Sequence, residues 1–501
     1  MGSGGGSGRP LAAPRTQRSA REQTDMADRN SIGGTGNGAY DLTVIGAGSA
    51  GFSAAITAAE QGARVALIGH GTIGGTCVNT GCVPSKTLIR AAEALHQVEA
   101  ASRFAGLDGQ ARLENWRAVL RQKDELVAAL RKAKYLDLLP GYNTVAYLEG
   151  RARLANGGMT VDGAPLQADK VIVTTGASPS LPPIPGIDAV PYLTSTTALE
   201  LEELPRSLLV LGGGYIGCEL GQMFARMGVE VTIVDIVPIL SAGEPEVSRA
   251  LAGYFRDEGI TLHENVKTRA IRRTEHGVVL DVSSDGRDET IEAQQVLVTT
   301  GRRPNTAGLG LEEAGVKLLP NGGIQVDEQM RTTRAGVYAA GDVTGRDMFV
   351  YMAAYGAKIA AKNALNGDGL RYDTTAMPAV VFTEPQVAGV GLTEAQAREA
   401  GHDVKTSVLP LDQVPRALAA RDTRGLIKLV ADAGTDKLLG AHILAPEGAD
   451  SIQTAALAIK HGLTGAELAE TIFPYLTTVE GLKLAAQAFE KDVAKLSCCA
   501  G

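Results

Sequence analysis

The sequence predicts an α/β chain with two Rossmann-like dinucleotide-binding domains and a C-terminal α+β domain. Three observations carry that expectation. The stretch DLTVIGAGSAGFSAAITAAEQGARVALI from Asp41 recurs as SLLVLGGGYIGCELGQMFARMGVEVTIV from Ser207, at one offset of 166. Each copy sets a G-x-G-x-x-G turn between an apolar strand pattern and a helical one. Near Pro378 the texture changes to short strands (AVVF, QVAGVG, GLIKLV, LLGAHIL), with helical stretches from Glu447 onward.

In the first copy the turn glycines are Gly46, Gly48 and Gly51; in the second they are Gly212, Gly214 and Gly217. The first glycine of such a turn bends the chain. The second admits a pyrophosphate, and the third lets helix and strand pack, with the helix N-terminus facing the phosphates. A lone fingerprint is weak evidence for this chemistry; two in register, each in strand–turn–helix context, make a pair of plain tight turns a poor explanation. Two sites suggest two dinucleotides, and a flavin beside a nicotinamide is a sensible pair because hydride passes between them.

The end of the second strand of such a unit carries an acid for the adenosine ribose. The second copy has Asp235 there, with no Arg close behind for a 2′-phosphate, which favours NADH over NADPH. The first copy has Gly69, so its ribose must be held another way. Two more strands end in turns at Thr175-Gly176 and Thr300-Gly301, and a third at Gly341-Asp342. Asp342 reads as an ordinary Asp turn or as a partner for flavin ribityl or phosphate groups. A helical pattern runs between Ala111 and Leu139 and includes Tyr135.

Composition sets the outer limits. At 501 residues the chain exceeds one ordinary core. A net charge of −8 and 4% aromatics suit neither phosphate-backbone binding nor base stacking. The uncharged run Leu42 to Ala59 is interrupted by three glycines, so no membrane partner is expected. Five cysteines do not make a disulfide scaffold, and no export signal is evident, which points to a reducing cytoplasm. Residues 1–38 read as a disordered leader or linker.

Four of the five cysteines form two pairs. Cys77 and Cys82 lie in GGTCVNTGCVPSK, where Pro84 fits the opening of a helix. A thiol at a helix N-terminus is a better nucleophile, so redox chemistry is favoured over two packed structural thiols. Cys498 and Cys499 end the chain but for two residues, and a mobile dithiol suits a soft, thiophilic metal ion. Cys218 reads as a packed thiol on the second helix. The seven histidines show no zinc-ligand spacing.

With GTCVNTGCVPSK, TIFPYLTTVEGLKLAAQ and the terminal KLSCCAG, the chain resembles the flavoprotein disulfide oxidoreductases, the class I pyridine nucleotide-disulfide oxidoreductase family, and within it the mercuric reductases. Two residue-level features narrow the resemblance. Disulfide reductases of this family carry a His-Pro pair whose His shuttles protons; here Tyr475 stands in that place, with Glu480 following. A metal ion accepting electrons needs no such shuttle. The tail supplies a second thiol pair.

The resemblance implies FAD on the first unit, NADPH or NADH on the second, and Hg(II) as substrate, delivered from Hg(II)–thiol complexes. Cys77 and Cys82 would form the redox-active disulfide, and Cys498 and Cys499 of one subunit of a homodimer would feed the other subunit. Lys86 and Glu219 would pair near the flavin, and Tyr135 and Tyr475 would line the metal site. The implied cofactor-binding set is Gly46, Gly48, Gly51, Thr76, Thr175, Gly176, Asp342, Gly212, Gly214, Gly217, Asp235 and Gly301. The implied metal set is Cys77, Cys82, Cys498 and Cys499. The expected divisions are 39–185 and 306–375 for the FAD domain, 186–305 for the NAD(P) domain, and 376–501 for a dimerisation domain with its tail. No Cys precedes Cys77, so the N-terminal metal-binding domain of many relatives is not expected. A thioredoxin reductase-like enzyme and a thiol metal-binding flavoprotein without turnover are the competing readings.

Overall fold

The computed structural model describes residues 40–284, 286–492 and 495. The leader expected over 1–38 and the Cys498–Cys499 pair lie outside the described residues. Two parallel five-stranded sheets and one antiparallel five-stranded sheet organise the rest, matching the expected fold class.

The first sheet runs Val337–Ala339, Ala168–Val173, Tyr40–Ile45, Val65–Gly69, Val145–Glu149. All its neighbours pair in parallel. The inner strands are apolar because both faces are covered, as parallel sheets require: Leu42, Val44, Val65 and Leu67 are all fully buried. The helix Ser49–Ala59 packs on one face, against the long helix Val350–Asn366. Its small side chains, Ala50, Ala54, Ala55 and Ala58, permit that close approach.

The second sheet repeats the arrangement with Thr261–His263, Glu230–Val234, Ser207–Leu211, Gln295–Val298 and Tyr192–Thr194, again all parallel. Its glycine-turn helix is Tyr215–Arg226. The third sheet is antiparallel, in the order Pro378–Val381, Gln386–Gly391, Leu438–Ala445, Leu426–Asp432, Val404–Pro410. Helices Gly448–Lys460 and Glu480–Gln487 cover it around a core of Ile427, Leu429, Ile443 and Leu482.

Two regions differ from the sequence expectation. The helix expected across 111–139 begins only at Trp116, where the Asn115 side chain caps it by accepting from Ala118 N–H, and it loosens into a π-turn at Lys132–Leu136. Two small antiparallel sheets, Ala152–Leu166 and Lys267–Ala293, also appear beside the main ones.

A buried ion cluster ties the second sheet's domain to the C-terminal one. Lys428, only 1% exposed, places Nζ 2.8 Å from Glu244, 3.1 Å from Glu246 and 2.9 Å from Glu394. Among the described residues these three carboxylates form a cluster with ligand-like spacing, and the lysine ammonium already bonds one oxygen of each. Among the described residues no helix is long and apolar enough to cross a membrane.

Candidate active site

The two glycine turns are built alike. Gly46 and Gly212 both take positive φ, +120° and +104°, which an L side chain resists. A Cβ on Gly51 would lie 1.7 Å from Gly46 O, and one on Gly217 would lie 1.9 Å from Gly212 O. The third glycine therefore lets helix meet strand in each unit. A Cβ on Gly214 would meet nothing within 4 Å, and one on Gly48 only Gly75 Cα at 3.4 Å. That open ground before a helix N-terminus fits a pyrophosphate. Sequence reading missed one feature of both turns. The buried Thr174 hydroxyl lies 3.0 and 3.1 Å from Ile45 O and Gly46 O, and Thr299 lies 2.8 Å from both Leu211 O and Gly212 O. Each threonine pins its turn to the neighbouring strand.

A cavity of about 1190 Å³ opens from the first turn. It is larger than ordinary small-molecule pockets, which reach about 1,000 Å³, and has room for a dinucleotide. Of the expected residues it collects Gly46, Gly48, Thr76, Cys77, Cys82, Lys86, Thr175, Gly176, Glu219 and Asp342. Gly51 lies behind it as a packing position. The second turn (Gly212, Gly214, Gly217), Asp235 and Gly301 stand outside it, but the helix that leaves that turn sends Tyr215 and Glu219 into it.

Cys77 sits in the short helix Gly75–Thr80, and Cys82 opens the helix Cys82–Glu99 after Gly81. Both are free thiols. A hydrogen bond from the Cys77 thiol, helped by the Lys86 charge, holds Cys82 down to about 7. The same bond and burial push Cys77 up. Cys82 is therefore the thiolate of the pair near neutral pH. Lys86 Nζ lies 2.5 Å from Glu219 Oε2 and 4.7 Å from the Phe382 ring centroid. Glu219 is buried, and its other oxygen accepts from Phe382 N–H at 2.9 Å.

Tyr135 lies in the π-turn, outside the cavity lining. Its Oη is 3.2 Å from Ser49 Oγ and its ring meets Phe52 edge-on; burial raises its pKa, the Ser49 hydrogen bond opposes that, and the charges on Cys77 and Cys82 add to the rise. Tyr475 is 49% exposed on the C-terminal domain, between Ile472 at 94% and Leu476 at 44%. It does not line this chain's own cavity. Asp342 opens a 3-10 turn, and burial raises its carboxyl pKa while Arg302, 3.9 Å away, opposes that. Arg302 lines the cavity and was not singled out by sequence. Cys218 is fully buried and donates to Gly213 O, the packed thiol expected.

Residues 40–358 match the family model for pyridine nucleotide-disulphide oxidoreductases, and residues 377–486 match that family's dimerisation domain. A mercuric reductase from Streptomyces lividans is 49% identical over 468 residues, spanning 92% of this chain and 98% of that protein. The chain belongs to the pyridine nucleotide-disulphide oxidoreductase family, among its mercuric reductases.

A second mercuric reductase of this family, from Lysinibacillus sphaericus, is 48% identical over 92% of this chain and 85% of its own length. Among solved structures of flavoprotein disulfide reductases, RclA from Escherichia coli in its Cu(II) complex aligns with TM-score 0.78 and 32% identity, over 90% of this chain and 99% of that one. LpdA from Mycobacterium tuberculosis aligns with TM-score 0.79 and 31% identity, over 89% and 99%. For an oxidoreductase of this family the dimerisation domain supports a homodimer.

Proposed function

We propose that the chain reduces Hg(II) to Hg(0) with electrons from NAD(P)H, in mercury detoxification in the cytoplasm. The observation that carries this reading is the shared cavity, which joins a dinucleotide turn to the Cys77–Cys82 pair and Lys86. Bound FAD would supply two-electron transfer between a nicotinamide hydride and the thiol pair with its metal ion.

The chain's own residues do the rest. Gly46, Gly48 and Gly51, with Thr76, Thr175, Gly176 and Asp342, hold the flavin dinucleotide. Gly212, Gly214, Gly217, Asp235 and Gly301 serve the nicotinamide. Asp235 Oδ2 accepts from Gly213 N–H at 2.6 Å, which fixes its carboxylate at the turn, and exposed Ile236 follows it without a cation. That environment supports NADH or dual use. Cys82 enters as thiolate and Cys77 as its exchange partner. Two thiolates suit Hg(II) as a soft ion. Cys498 and Cys499 of one subunit take Hg(II) from small thiol complexes and pass it to Cys77 and Cys82 of the other by stepwise thiol exchange, so the ion is never bare. Tyr135, within electrostatic reach of both thiols, and Tyr475 of the partner subunit flank that inner site. Two electrons convert Hg(II) to Hg(0), and the neutral atom leaves because it binds thiolates weakly. The balance is NAD(P)H + Hg(II) → NAD(P)⁺ + H⁺ + Hg(0).

For the domains we infer boundaries at 39–185, 186–305, 306–375 and 376–501. The return of Val337–Ala339 to the first sheet supports counting 306–375 with the first domain.

The test is steady-state NAD(P)H oxidation with Hg(II) and excess thiol. Hg(II)-dependent oxidation, abolished in Cys82→Ala, is the expected result. Oxidation driven by a protein disulfide and not by Hg(II) would make the chain a disulfide reductase instead. Hg(II) binding without turnover would make it a metal-binding flavoprotein.

A further inference from the structure

The first dinucleotide unit lacks the acid that ordinarily bonds the adenosine ribose, because Gly69 ends its second strand. The structure accounts for that loss. A Cβ built on Gly69 would lie 2.4 Å from Tyr147 Oη, 2.8 Å from Tyr147 Cε2 and 2.9 Å from Ala47 Cβ. No side chain fits at residue 69 while Tyr147 holds its place. Tyr147 reaches there from the adjacent strand Val145–Glu149, where its register partner is Leu67, two residues before Gly69.

The atom that comes nearest is the hydroxyl oxygen, not a ring carbon. By standard bond lengths, an Asp carboxylate oxygen stands about 2.4 Å from its own Cβ. Tyr147 Oη therefore occupies the radius at which an acid on residue 69 would present its oxygen. Tyr147 is half-buried, its ring packs against the first sheet's core, and it lines the same cavity as the first glycine turn and His70.

We propose that the Tyr147 hydroxyl holds the adenosine ribose 2′-hydroxyl of the flavin dinucleotide, in place of the acid that Gly69 cannot carry. This rests on FAD occupying the first unit. A phenol both donates and accepts, so it serves a ribose hydroxyl in either role. Being neutral, it makes a weaker bond than a carboxylate does.

The experiment titrates flavin-free full-length protein with FAD and with an FAD analogue carrying 2′-deoxyadenosine, following flavin fluorescence. The unmutated chain should bind FAD about three- to tenfold more tightly than the deoxy analogue. Tyr147→Phe should lose that factor on FAD and change by less than about twofold on the analogue. A second variant tests the exchange of roles. Gly69→Glu combined with Tyr147→Val should bind FAD more tightly than Tyr147→Val alone. Equal binding of the two ligands by the unmutated chain overturns the proposal, as does an equal loss on both in Tyr147→Phe. So does a double variant no better than Tyr147→Val. FAD binding by the unmutated chain in any of those cases leaves the cofactor reading standing; no FAD binding at all overturns both.

Discussion

Lys86 Nζ and Glu219 Oε2 meet at 2.5 Å, and through that contact the helix that begins at the Cys82 thiol is bound to the helix that begins at the second glycine turn. The pair also balances charge beside the thiol. Lys86 favours the Cys82 thiolate, and Glu219 opposes it.

Removing the lysine leaves the buried carboxylate unscreened, so both changes act against the thiolate. On the reduced protein, iodoacetamide alkylation of Cys82, read by peptide mass, should rise with pH to a midpoint near the value of about 7 set by its surroundings. In Lys86→Met the midpoint should move up, and activity at pH 7 should fall as the thiolate fraction falls. In Glu219→Gln it should move down. A midpoint unmoved in both variants would dismiss the electrostatic role.

In the proposed reaction the tail pair acts before the electrons do. Cys498→Ala with Cys499→Ala should reduce turnover at least tenfold on Hg(II) held by bulky thiols, while anaerobic flavin reduction by NAD(P)H keeps its rate. Unchanged turnover on that substrate would remove the delivery role.

Lys428 is nearly inaccessible to solvent among three carboxylates. Breaking such a buried cluster from one side costs about 3–5 kcal/mol. Lys428→Met should therefore lower the unfolding midpoint by several degrees. Replacing Glu244 by Gln at the same time should recover part of that loss, because one buried charge goes with the lysine. Both effects are read by calorimetry on the FAD-loaded dimer.

Asp235 is fixed at the second turn by the Gly213 N–H. It should accept a ribose 2′-hydroxyl and repel a 2′-phosphate. We expect kcat/KM for NADH to lie within tenfold of that for NADPH or above it, and Asp235→Ala to shift the ratio toward NADPH. A wild-type preference for NADPH beyond a hundredfold would contradict this.

The two nucleotide units were legible because their signal is local. A glycine that bends, a glycine that leaves room and a glycine that packs each leave a mark at a fixed offset, and Gly51 and Gly217 carry the same close approach to the carbonyl five residues back. Thr174 and Thr299 were not legible, since each pins a turn more than 80 residues away in sequence. The strand Val404–Pro410 escaped for a different reason. It is an edge strand with Lys405, Thr406 and Ser407 in its first half, so alternation alone resembles a loop. Lys267–Arg273 is similarly polar and mostly exposed. Tyr147 fills the space beside Gly69 from 78 residues away, and sequence exposes only the missing acid.

The strand Val337–Ala339 pairs with Ala168–Val173 in the first sheet, with the whole second sheet encoded between them. On a ribosome adding about 5–20 residues per second, roughly ten to thirty seconds separate those two strands. The second unit can close on its own in that interval, since its strands all come from one continuous stretch. The first unit waits with a bare parallel edge beside Ala168–Val173 until Val337–Ala339 arrives. The part of the chain that emerges first is thus completed later, and during that wait its open edge is the place most exposed to mispairing with another nascent chain.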